Sequence, residues 1–126
     1  MLRIMRGKVS SGFGQAQYFL SREGYCSQFL EQLGFVPFPG TLNVLLEEPF
    51  PTDGLQEIKI EGFTEEGKSF GECKCYRIKF KDMQAAVVRP EKSRFPPEMI
   101  EIIAPAKLRA LGLEDGDPVE IVLLEL

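Results

Sequence analysis

Apolar and polar positions alternate with a period of two in two stretches of this chain. The segments "EIKIEGF" (57–63) and "CKCYRIKF" (73–80) alternate as half-buried strands do. In the second, Tyr76, Ile78 and Phe80 share one face, and Arg77 and Lys79 share the other. "RIMRGKVS" (3–10), residues 41–46, "QAAVVRP" (84–90) and the segment after "EDGD" (114–117) read as further strands, with "IEIIAP" (100–105) a short strand or extended piece. A helical period is confined to "SREGYCSQFLEQLGF", where Tyr25, Phe29, Leu30 and Leu33 fall on one face and Gly34 supplies a terminator. "PAKLRALGL" predicts a short second helix, with Pro105 near its first turn and Gly112 past its end. "PFPTDG" (49–54) is turn chemistry, "TEEGKSFGE" (64–72) a glycine-bearing loop and "EKSRFPPEM" (91–99) a proline-stiffened connection. Many short strands with few helices predict a mainly-β barrel carrying one or two short helices over its ends. Strands and long helices do not alternate, which excludes a dinucleotide-binding α/β sheet.

Composition narrows the function. A length of 126 residues suits one domain with its own core. The net charge of -4 argues against a non-specific nucleic-acid or membrane-surface role, which wants a basic face. No apolar run approaches the roughly 20 residues of a membrane span, and the N-terminal stretch lacks a signal-peptide core, so the expected location is the cytoplasm. The cysteines are Cys26, Cys73 and Cys75, too few and too odd in number for a disulfide framework. With no histidine in the chain, neither a thiolate–imidazole metal site nor Ser-His or Cys-His nucleophilic chemistry is expected. Phosphoryl transfer is compatible with that absence, because its catalysis is mostly positioning and charge neutralisation.

Three stretches can carry chemistry. "VSSGFGQAQYF" contains Gly12-x-Gly14, glycines that let backbone N–H groups approach a phosphate. It matches neither the dinucleotide fingerprint nor the P-loop, so a hairpin turn and a ligand loop both remain open. "GFVPFPGTLNV" presents Thr41 and Asn43 on one strand face, roughly 6.5 to 7 Å apart along the strand. Hydroxyl and amide oxygens are hard, neutral ligands that suit a magnesium ion already carrying waters and phosphates. The same two residues would serve equally as a solvated face or as turn caps. Glu101, between Ile100 and Ile102, points either to solvent or into a pocket. Phe35, Phe38 and Phe95 are candidates both for core and for an aromatic wall against a flat ring.

Taken in order, "SGFGQAQYF", "LGFVPFPGTLNV", "EIIAPAKLR" and "LEDGDPVEI" resemble the CTP-dependent riboflavin kinase family of archaea over nearly the whole chain. The resemblance implies a six-stranded cradle-loop (RIFT-related) β barrel formed by residues 1–126 as a single domain, without a preceding helix-turn-helix. It implies transfer of a phosphoryl group from CTP to the 5′-hydroxyl of riboflavin, giving FMN and CDP, assisted by Mg²⁺. By the same resemblance, Gly12, Phe13, Gly14, Gln15, Ala16 and Gln17 bind the cytidine nucleotide, and Ala106, Lys107, Leu108 and Arg109 close over it. Thr41 and Asn43 hold the metal, and Ser93 and Glu101 contact the flavin nucleotide. For Glu101 two tasks stay open: polarising or deprotonating the acceptor hydroxyl, or hydrogen-bonding the flavin's ribityl chain or ring. Many family members carry Thr where this chain has Ser93, which retains the hydroxyl on a less constrained rotamer. The expected partners are riboflavin or FMN and CTP or CDP, with no nucleic acid, no membrane and a monomeric state. Two other readings compete: a non-catalytic flavin- or nucleotide-binding barrel, and a swapped-hairpin DNA-binding barrel suggested by "LEDGDPVEI". The acidic charge and the lack of a clustered basic stripe count against the last.

Overall fold

The computed structural model describes residues 2–12, 19–91 and 95–124. In chain order its elements are β1 (Leu2–Ser10), α1 (Glu23–Leu33), β2 (Leu42–Leu46), β3 (Ile58–Ile60), β4 (Phe63–Glu65), β5 (Lys68–Phe70), β6 (Cys73–Phe80), β7 (Met83–Pro90), β8 (Met99–Ile103), a 3-10 turn (Leu108–Leu111) and β9 (Pro118–Leu124). The order β6-β7-β8-β2-β1-β9 closes on itself through a β6–β9 pairing, so six antiparallel strands form a barrel. β6 divides its second edge between two partners: Cys73 and Cys75 pair with β3, while Ile78 and Lys79 pair with β9. Closure leaves little exposed edge on the barrel.

The two-residue period sorts side chains between two cores. Leu42, Val44, Leu46, Tyr76, Ile78, Phe80, Val87, Ile100, Ile102, Ile121 and Leu123 fill the barrel interior. On the outer face of the β6–β7–β8 wall, Cys73, Cys75, Ala86, Val88 and Ile103 meet Tyr25, Phe29 and Leu33 of α1 in a second core. Helix α1 therefore lies across this wall. Leu30, expected on the buried face, is instead 53% exposed: the contact stripe is the narrower Tyr25–Phe29–Leu33 line. The helix ends at Gly34, whose φ of 86° is the left-handed conformation that closes a C-terminus without a Cβ penalty. Its last carbonyls are held from the barrel: Arg77 donates to Gln32 (2.5 Å) and Leu33 (3.0 Å), and Gln84 donates to Leu33 (3.0 Å).

Two local readings change. Residues 64–72, expected as a loop, form most of the β4–β5 hairpin, turned at Glu66 and Gly67 with φ of 53° and 75°. The β6–β7 hairpin turns at Lys81 and Asp82, with φ of 49° and 63°. Positive φ at both central positions matches the twist of the flanking strands, so the pairing tolerates non-glycine residues there. The predicted second helix is a single 3-10 turn, ended by Gly112 at φ 88°.

Candidate active site

The polar residues of β2 and β8 meet because of register. Asn43 lies opposite Glu101 across the β2–β8 pair and opposite Ser10 across β1–β2. Their neighbours Leu42, Val44, Ile100 and Ile102 point into the barrel, so alternation sends Asn43 and Glu101 to its outside. That outside is not wet at Asn43, which is 3% exposed. Thr41 stands just before β2, its Oγ1 3.1 Å from Asn43 Oδ1 and 3.4 Å from Glu101 Oε1. A hydroxyl carries one proton, so it donates to one of these oxygens at a time and can accept from a third group.

Gly12, two residues past the end of β1, closes the same spot. A Cβ built on it would sit 2.6 Å from Asn43 Nδ2 and 3.3 Å from Asn43 Cγ, so any larger residue here would require the Asn43 amide to shift. Burial pushes the Glu101 carboxyl above its ordinary pKa, against the opposing pull of the Thr41 hydroxyl and the Arg89 charge. Arg89, on β7, donates to the Phe95 carbonyl at 3.3 Å and so ties this wall to the proline-rich connection. Phe38 N–H donates to the Ala104 carbonyl at 2.8 Å, setting the Pro-Phe-Pro-Gly turn beside the segment that leaves β8.

Four sites predicted from sequence thus converge: Gly12, Thr41, Asn43 and Glu101. The segment 106–109 is mixed. Ala106 and Lys107 are exposed, Leu108 is buried in the barrel core, and the Arg109 guanidinium is bonded within the chain. Phe35 belongs to the outer core, whereas Phe38 is exposed and Phe95 half-buried. Phe13, Gly14, Gln15, Ala16, Gln17 and Ser93 lie outside the described residues. Cys73 and Cys75 do share a face, beneath α1, where a hydrogen bond between them and burial push the Cys75 thiol upward in pKa and keep it protonated. Sequence reasoning missed Arg89 and the acceptor role of Asp115. "LEDGDPVEI" spoke only of fold, because Asp115 finds its partners across the chain.

Among the described residues, no group of three or more His, Cys, Asp or Glu side chains gathers as a metal site. The oxygens of Thr41, Asn43 and Glu101 are a different donor set: hard, with one anion among them. Such a set fits Mg²⁺, which prefers oxygen and keeps several waters, and is unsuited to thiophilic metals.

The chain is thus a closed antiparallel β barrel with an oxygen cluster on its flank, bordered by a closely packed glycine. A family model described as "Domain of unknown function DUF120", with the label CTP-dep_RFKase, matches residues 9–123. The chain belongs to this family of CTP-dependent riboflavin kinases. It is similar to the riboflavin kinase of Methanocella arvoryzae, at 52% identity over 121 residues, covering 95% of this chain and 56% of that protein. It is 48% identical over 126 residues to the riboflavin kinase of Ignicoccus hospitalis, covering 94% and 70%. It is 44% identical over 126 residues to that of Archaeoglobus fulgidus, covering 95% and 54%. The chain thus spans little more than half the length of several relatives it matches. No helix among the described residues is long and apolar enough to cross a membrane.

Proposed function

We propose that this domain transfers the γ-phosphoryl group of CTP to the 5′-hydroxyl of riboflavin, yielding FMN and CDP. The observation that carries the reading is the convergence of Thr41, Asn43 and Glu101 beside Gly12, in a chain of this family. In the transfer, the 5′-oxygen forms a bond to the γ-phosphorus and the bond from that phosphorus to the β,γ-bridging oxygen breaks. The proton of the hydroxyl passes to Glu101, and CDP leaves with the bridging oxygen.

Each residue has a task in this scheme. Glu101 orients the acceptor hydroxyl and takes its proton. The Thr41 hydroxyl lies within bonding distance of both the Asn43 amide oxygen and the Glu101 carboxylate and donates to one of them at a time. Gly12 brings backbone close to that cluster, and with Phe13 to Gln17 contributes N–H groups toward the phosphates. Backbone around Ala106, Lys107 and Leu108 supplies edges against which a cytosine is distinguished from an adenine. Ser93 adds a hydroxyl to the flavin side. Thr41 and Asn43, with Glu101 adjacent, would hold Mg²⁺, which when bound offsets the charge of the phosphate oxygens. The domain works as a cytoplasmic monomer, 1–126 forming one unit, with no nucleic-acid or membrane partner.

Incubation with riboflavin, Mg²⁺ and either CTP or ATP tests the reading: FMN is expected with CTP and not with ATP. Tight flavin binding without FMN under either condition would make the domain a binding module instead. Thr41→Ala and Asn43→Ala should each lower turnover far more than flavin affinity. Undiminished activity of both at limiting Mg²⁺ would remove them from the metal.

A further inference from the structure

Two aspartates, Asp53 and Asp115, are each followed by a glycine, the pairing that leaves an aspartyl carboxyl most open to attack by the next backbone nitrogen. Both pairs sit in exposed turns. Gly54 has a φ of 80° and Gly116 a φ of 90°, and a Cβ on either would meet nothing within 4 Å. Sterically the two are alike, but their bonding differs. Asp115 Oδ1 accepts from Arg109 Nη2 at 2.5 Å, and Asp115 Oδ2 accepts from the Ser11 hydroxyl. The Gly116 N–H donates to Val9 O at 2.7 Å, and Val9 N–H donates to Asp117 O at 2.9 Å, which seats this turn on β1. Asp117 Oδ2 accepts from the Glu114 N–H at 2.8 Å and closes it. At the other turn, neither the Asp53 carboxylate nor the Gly54 N–H has a hydrogen bond or ion pair among the described residues.

We propose that Asp53-Gly54 is a site of covalent self-modification, converting to isoaspartate in the folded chain, while the fold protects the identical pair at Asp115-Gly116. The Gly54 nitrogen loses its proton and bonds to Asp53 Cγ, the carboxyl oxygen departs as water, and a succinimide ring closes. Water then adds at the Asp53 main-chain carbonyl and breaks its bond to the Gly54 nitrogen. The chain now runs through Cβ and Cγ, the α-carboxylate is free, and the water lost in the first step is regained in the second. At Asp115 the first step requires both carboxylate bonds and the Gly116 N–H bond to open together. The Ser11 and Arg109 donors also hold the Asp115 carboxyl below its ordinary pKa, in the anionic form from which oxygen leaves poorly. The altered link bears on the fold. Asp53 lies between Phe50 and Leu55, both in the barrel core, and Phe50 N–H donates to Pro97 O at 3.0 Å. An extra main-chain carbon has to be fitted between these anchored side chains.

Isoaspartate leaves the mass unchanged, so it is counted by its free α-carboxylate. The folded chain is aged at neutral pH, methylated with S-adenosylmethionine and an isoaspartyl carboxyl methyltransferase, and mapped by peptide. In the folded chain, at least about tenfold more methyl label is expected at 53 than at 115. In urea, where both turns are open, the two sites should label within about twofold of each other. Asp53→Glu, whose longer side chain closes the ring poorly, should lose the label at 53 alone. Ser11→Ala and Arg109→Gln each remove one donor from Asp115 and should raise the label at 115 by about threefold or more. Equal labelling of the two sites in the folded chain overturns the inference. So does an unlabelled Asp53 in the folded chain, or a chain in urea that still labels only at 53, which would trace the difference to neighbouring residues and not to the fold.

Discussion

Glu101 and Ile103 sit two residues apart on β8 and face the same way, yet they serve opposite ends. Ile103 is fully buried beneath α1, in the outer core with Val88, Cys75 and Phe29. Glu101 is half-buried beside Thr41 and Asn43, outside the stripe that α1 covers. The barrel's outer wall is thus divided by what covers it. Where α1 lies, alternation yields apolar side chains, and the strands and the helix stabilise each other. Where the chain at Gly12 covers the wall, the outward positions are oxygens. A helix removes water from a broad stripe, and burying unpaired polar groups under it would cost several kcal/mol. The close approach of Gly12 shelters Asn43 without a helix over it.

The strongest way to break this division is on the covered half. Phe29→Ala should destabilise the protein by about 3–5 kcal/mol, read by chemical denaturation, because a fully buried ring leaves a cavity between α1 and the wall. Where the variant stays folded, its turnover per folded molecule should hold. If it does not fold, Phe29→Leu provides the same comparison at lower cost. On the open half the expectation reverses. Glu101→Gln should cut turnover on the order of 10²-fold with flavin binding retained and the denaturation midpoint nearly unmoved. A parallel loss of flavin affinity would make Glu101 a flavin ligand and not the base. Next in size, Arg77→Ala removes two hydrogen bonds to the last carbonyls of α1, although Gln84 keeps one. About 1–2 kcal/mol should be lost, with no change in KM for either substrate. Smallest is Leu30→Gln, on the exposed side of α1, where a change within about 0.5 kcal/mol is expected. A larger destabilisation there would show that the buried stripe of the helix is broader than Tyr25, Phe29 and Leu33.

Local patterns carried far in this chain. The two-residue period marked β3 and β6, and Gly34 and Gly112 marked the ends of α1 and the 3-10 turn. Where local signals misled, tertiary contact explains it. Leu30 fits the helical period but lies beyond the reach of the wall. The hairpin at Glu66 and Gly67 read as a loop because β4 and β5 are each only 3 residues long, too short to show alternation.

By itself the sequence determined that Thr41 and Asn43 share a face, that Glu101 interrupts an apolar strand, and that the chain forms a small barrel with little helix. The period of side chains along a strand is local, so it survives without knowledge of neighbours. Which strand lies beside which, and in what register, is a long-range choice that no local pattern encodes. Only the tertiary structure set Asn43 opposite Glu101, laid Gly12 against the Asn43 amide, and joined Arg109 to Ser11 through Asp115. Those contacts come from barrel closure, which brings residues far apart in the chain within bonding distance.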